Sequence, residues 1–193
     1  PGSEHITADV EKQFELEVGE CIYKTLNMSS SRSPHRRPKV LITAEIWSTA
    51  EKEALFAMAG SLVHPSRGEG FGLIVAEAMA AGVPVITTDA GAVADFTSNS
   101  TAWLVPSALV PCYDVYPCGQ NGSNWSIFSR AMAQPPLWLE VRAVELGATM
   151  RHVLDNPKRA ASKAALARAF IKQRFSWKVV HAIIRQRVGA LLH

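Results

Sequence analysis

Cysteine is scarce in this chain, charge is sparse, and long apolar runs are missing. Each shortage closes off a class of protein. Three cysteines in 193 residues cannot build the disulfide framework of a small secreted scaffold. Cys21 falls on an apolar helical stripe and reads as a core thiol. Cys112 and Cys118 are close enough in sequence to bridge a loop. Without a matching histidine or a second cysteine pair, however, they indicate no zinc site. Charged residues make up 19% and the formal charge is only +3, which is not the footprint of a nucleic-acid binder. No apolar run approaches the roughly 20 residues that a membrane span requires. No signal peptide is visible at the start, but Pro1-Gly2-Ser3 resembles a vector scar, so that absence carries little weight. What remains is a chain with 48% hydrophobic residues, long enough for one ordinary domain with a real core.

The first part, 1–38, reads as a helix followed by a basic linker. Thr7 is a plausible cap, and Val10, Phe14, Val18, Ile22 and Leu26 recur every four residues, so Ile6 to Leu26 is expected to be helical. Met28 to Pro38 is a Ser/Arg/Pro linker. A single domain is expected over 39–193. It should comprise a strand at Lys39 to Ala44, a helix at Thr49 to Met58, the motif unit described below, a short helix at Ala92 to Phe96 and a strand at Ala102 to Val105. Pro106 to Pro136 has turn residues, scattered aromatics and no period, and is read as part of an irregular insertion over 106–138. Leu139 to Leu154, Pro157 to Phe175 and Trp177 to Leu191 read as three helices.

The most informative stretch runs from Pro65 to Ile86. Ser61-Leu62-Val63-His64 reads as a short buried strand, and a glycine-bracketed acidic turn, Glu69-Gly70-Phe71-Gly72, follows it. An almost wholly apolar helix comes next, then a second buried strand. Strand, turn, helix and strand make a βαβ unit, whose turn lies at the carboxyl end of the first strand, where open α/β sheets bind ligands. A helix N-terminus placed there offers free N–H groups and partial positive charge, which suits phosphate. Glu77 is the only charge on the helix. A buried polar group without partners costs roughly 2–7 kcal/mol, so something must bind it. Two adjacent sugar hydroxyls would serve, since a carboxylate accepts two hydrogen bonds at once. A backbone amide or an arginine would also serve, and Glu69 could simply cap the helix. The helix from about Gly72 to Ala81 is expected to be buried, with its N-terminus opening onto a pocket that holds Glu69 and Glu77.

These residues resemble the E-x7-E motif of the retaining glycosyltransferases of family 4, which have the two-domain B-type fold. The motif here is Glu69 to Glu77. The likeness runs from about Lys39 to about Val188. It includes Glu53-Ala54-Leu55-Phe56-Ala57-Met58-Ala59 before the motif strand and Val83-Pro84-Val85-Ile86-Thr87-Thr88-Asp89 after the helix. Trp138-Leu139-Glu140 and Met150 to Pro157 resemble the closing helices. The resemblance implies a Rossmann-like parallel sheet with helices on both faces and a helical C-terminal tail. It implies transfer of a hexose from a UDP-sugar or GDP-sugar donor with retention, without a metal or other cofactor. Carried over by position, Glu77 would bind the ribose hydroxyls, and Glu69 would act at the donor sugar as the catalytic carboxylate. The N–H groups of Phe71, Gly72 and Leu73, beside Gly70, would face the phosphates. Arg67 is a weaker candidate for phosphate or sugar contact.

The pattern also departs from the family. Its first βαβ unit, with the loop that clamps the diphosphate, has no match here, and neither does its N-terminal acceptor domain. The sheet is therefore expected to be truncated, with Lys39 to Ala44 pairing beside the motif strand, and the isolated chain is expected to be inactive. Asp89-Ala90-Gly91-Ala92 lacks the usual Gly-Gly or Gly-Pro pair. A basic excess, with Arg151, Lys158, Arg159, Lys163, Arg168, Lys172, Arg174, Lys178, Arg185 and Arg187, marks the last helices. It reads as a solvated face, as a contact for an anionic membrane surface, or as a dock for the missing domain. Asn27, Asn99, Asn121 and Asn124 each open an Asn-x-Ser/Thr triplet, which is an acceptor only in the secretory pathway. Cytoplasm and secretory lumen both stay open.

Overall fold

The computed structural model describes residues 47–111 and 137–191. The chain divides into two compact units, Pro1–Ser48 with Tyr113–Ala133 and Thr49–Cys112 with Gln134–His193. All the elements below belong to the second. They are helix α1 (Thr49–Met58), β1 (Leu62–His64), α2 (Leu73–Ala81), β2 (Val85–Thr88), a 3-10 turn (Ala92–Asp95) and β3 (Trp103–Val105). These are followed by β4 (Ser107–Pro111), β5 (Leu137–Val141), α3 (Ala143–Asp155), α4 (Pro157–Phe175) and α5 (Trp177–Leu191).

The sheet is parallel, with strand order β1-β2-β3. Leu62 pairs with Val85, and Ile86 with Trp103. α2 is the crossover between β1 and β2, as the apolar helix between two apolar strands requires. Strand side chains alternate between faces, and the core divides accordingly. On one face Leu62, Val85 and Leu104 meet Phe56 of α1, Val75 and Met79 of α2, and Ala167 and Ile171 of α4. On the other, Val63, Ile86, Trp103 and Val105 meet Leu146 and Val153 of α3 and Ala160 of α4. Helices thus cover both faces of a truncated Rossmann-like sheet, and α4 contributes to both clusters along its length. Thr87 is wholly buried in the central strand. Its hydroxyl donates to the His64 carbonyl at 3.0 Å, so no buried polar atom is stranded there.

The helix boundaries follow local chemistry. α2 stops at Gly82, whose left-handed φ of 83° lets its N–H close on Ala78 and Met79 carbonyls, the usual glycine C-cap. Pro157 opens α4 at a position that needs no N–H.

Two expectations are corrected. The ends of the 106–138 segment are not irregular, because β4 and β5 form an antiparallel ribbon with Ser107 opposite Val141 and Leu109 opposite Leu139. Leu139 does not begin a helix. Leu137-Trp138-Leu139-Glu140-Val141 is extended, Arg142 is still extended at φ −78°, ψ 128°, and α3 starts at Ala143. Trp138-Leu139-Glu140 is therefore a strand, not part of a closing helix. The physical reason is the partner, since a strand gains its hydrogen bonds from β4, far away in the sequence, and no local period reveals this. Among the described residues β1 has a ladder partner on its β2 side only. The expected helix at Ile6 to Leu26, the linker, the strand at Lys39 to Ala44, all three cysteines and Asn27, Asn121 and Asn124 lie outside the described residues.

Candidate functional site at the carboxyl ends of the strands

The motif loop joins β1 to α2 and is held from several sides. Gly72 sits at φ 87°, ψ 49°, immediately before the helix. Only glycine adopts that backbone freely. A methyl group there would also come within 2.7 Å of Val93 Cγ1. The Gly72 carbonyl accepts from the N–H groups of Val75 and Ala76 at 3.0 and 3.1 Å. The first-turn N–H groups of Leu73 and Ile74 point out of the helix end, as helix geometry demands. Phe71 is anchored by stacking on Phe96 at 4.9 Å between ring centroids, with the edge of Phe175 at 5.8 Å. Gly70 has open space where a side chain would be. Leu73 is exposed, which leaves the helix end accessible.

Glu69 takes a hydrogen bond with His64 across the turn, Nε2 to Oε1 at 3.0 Å. It lines a cleft with Ser66, Gly68, Thr88, Ala90 and Gly91, with Leu139 of β5 on the far wall. The cleft is small, about 10 Å³, enough for roughly one water. Glu77 is not part of it. Four residues after Leu73, it lies on the same side of α2 and meets Lys52 of α1, Nζ to Oε1 at 2.7 Å. Glu69 and Glu77 thus each have their own partner, His64 for the first and Lys52 for the second. α2 itself is largely buried through Val75, Ala76, Ala78 and Met79, as its composition requires.

Arg67 is held by the ribbon. Its guanidinium lies 3.0 Å from Glu140 Oε2 and 4.1 Å from the centre of the Trp138 ring, and its carbonyl accepts from the Leu139 N–H at 3.0 Å. β5 therefore borders the motif loop directly. After β2, Asp89 Oδ1 accepts from the Ser107 N–H at 2.9 Å and from its hydroxyl at 2.5 Å, which ties the loop to β4. Gly91 has φ 81° and its absent methyl would touch Leu139. Sequence reasoning missed Lys52, His64, Trp138 and Glu140. His64 alone left a readable signal, a polar side chain closing an apolar strand beside the acidic turn.

The family model described as Glycosyl transferases group 1 matches residues 18–111, which include α1, the motif unit, β3 and β4. With the parallel α/β sheet, the match supports a module of glycosyltransferase class. No curated protein matches the chain.

Proposed function

We propose that the chain is the donor-binding part of a retaining, metal-independent hexosyltransferase, which moves a sugar from a nucleotide diphosphate sugar to an acceptor. The observation that carries this reading is the open N-terminus of α2. A left-handed glycine opens the helix at the carboxyl ends of the strands, where the first-turn N–H groups have no partner within the helix. In this reading the diphosphate of a UDP- or GDP-sugar meets the N–H groups of Phe71, Gly72 and Leu73. The helix dipole stabilises charge on the departing phosphate, where a preorganised donor is worth about 2.7–4 kcal/mol. Lys52 holds Oε1 of Glu77, which leaves Oε2 for a ribose hydroxyl. His64 holds one oxygen of Glu69, and the other is directed to a hydroxyl of the donor sugar. Neither role calls for a bound cofactor.

Titration of the chain with UDP and GDP tests it. Glu77→Gln should weaken binding by about 1.5–3 kcal/mol, the worth of hydrogen bonds to a charged group, with the fold unchanged by circular dichroism. Equal titrations of the two proteins would remove the ribose role.

A second reading, a non-catalytic sugar-nucleotide or interaction module, is favoured by the engagement of Arg67 with Glu140 and Trp138 and of Lys52 with Glu77. Both cations are already neutralised by carboxylates. On that ground the isolated chain should bind nucleotide without turning over donor. Measurable sugar release from UDP-glucose or GDP-mannose would count against the second reading.

A further inference from the structure

A cleft of about 520 Å³ opens between α3, α4 and the loop entering β3. The strands are parallel, so this cleft, at the amino end of β3, lies at the opposite end of the sheet from the motif loop. Its walls include Asn99, Trp103, His152, Arg159 and Lys163. Arg159 and Lys163 are four residues apart on α4 and hence face the same way. Lys163 Nζ donates to the Ala102 carbonyl at 2.8 Å and lies 4.2 Å from the centre of the Trp103 ring. That fixes the ammonium at the cleft wall instead of leaving it to wave in solvent. Among the described residues no carboxylate lines the cleft, and neither Arg159 nor Lys163 has a carboxylate partner. Burial, and then the neighbouring Arg159 charge, hold the Lys163 ammonium below its ordinary value. Two adjacent like charges with no counter-charge repel, and an anion between them would relieve that repulsion.

We propose that this cleft is a binding site for a small phosphate-bearing anion. A guanidinium presents a flat fork of donors that suits phosphate oxygens, and the ammonium adds a point charge. The Asn99 amide and the His152 imidazole supply hydrogen-bonding groups that can orient the rest of a ligand. The volume falls within the range of small-molecule pockets and exceeds what bare phosphate fills, so a phosphate monoester suits it better than the inorganic ion.

The test uses the full chain, with inorganic phosphate and glycerol phosphate as probes and sodium chloride at matched ionic strength as control. Nitrogen–proton correlation spectra report where each probe acts. Saturable shifts are expected at Trp103, His152 and the start of α4, with the motif loop at 69–77 unmoved. Arg159 is exposed, so Arg159→Gln should fold normally and weaken either probe at least tenfold. Lys163→Met should do the same, with thermal melting as the check on its fold. Chloride reproducing the shifts, or the shifts mapping to 69–77, would overturn the proposal, as would Arg159→Gln titrating like the parent chain.

Discussion

Gly72 combines two demands at a single position. Its φ of 87° disfavours any side chain by about 1–2 kcal/mol. A methyl group would also press on Val93, itself buried in the core, and such overpacking costs typically 1–3 kcal/mol. Gly72→Ala should therefore lower stability by roughly 2–5 kcal/mol in urea unfolding. Combining it with Val93→Ala should restore part of the loss, a coupling of about 0.5–3 kcal/mol. Simple additivity of the two changes would show that the Val93 contact contributes nothing. At this scale the acids were legible and their partners were not. Glu69 and Glu77 stood out because they interrupt glycine-rich and apolar surroundings, which is local information. Lys52 lies 25 residues from Glu77 and looks in the sequence like any solvated helix lysine. The pairing depends on α1 packing beside α2.

Each helix carries its own period and stops, which is why α1, α4 and α5 could be bounded from the sequence. The β4–β5 ribbon has no such local record. Ser107–Pro111 is mostly exposed, so its apolar pattern is weak, and its partner strand is distant in the chain. The helix expected from Leu139 failed for the same reason, since tertiary pairing overrode propensity. The ribbon matters because β5 occupies Arg67. The Arg67–Glu140 pair is well exposed on both sides, with side chains 41% and 43% accessible, and exposed ion pairs contribute only about 0–1 kcal/mol. Glu140→Gln should thus leave stability within about 1 kcal/mol of the parent. It should, however, release the guanidinium toward the helix end and tighten UDP binding, measured by calorimetry. Unchanged or weaker UDP binding in Glu140→Gln would mean that Arg67 has no access to the phosphates.

Over the whole molecule, charge is unevenly distributed. After Asp155 the sequence has no Asp or Glu, and α5 combines Lys178, Arg185 and Arg187 with an apolar stripe of Trp177, Val180, Ile184, Val188 and Leu191. None of its residues is buried, and Trp177 and Leu191 are 82% and 84% exposed. No helix among the described residues is long and apolar enough to cross a membrane. An amphipathic helix with cations flanking an aromatic-tipped apolar stripe suits the plane of an anionic bilayer surface. Each basic residue near such a surface contributes about 1 kcal/mol, so α5 should add about 3 kcal/mol from its three cations, a factor of roughly a hundred or more in partitioning. The chain should sediment with phosphatidylserine vesicles at low salt and remain in solution with neutral phosphatidylcholine. Screening should release it as ionic strength rises. Arg185→Glu combined with Arg187→Glu should abolish sedimentation, while the fold, followed by circular dichroism, stays as before. Equal binding to neutral vesicles would assign the attachment to the apolar stripe alone. Indifference to the double charge reversal would return the basic excess of α5 to a solvated face.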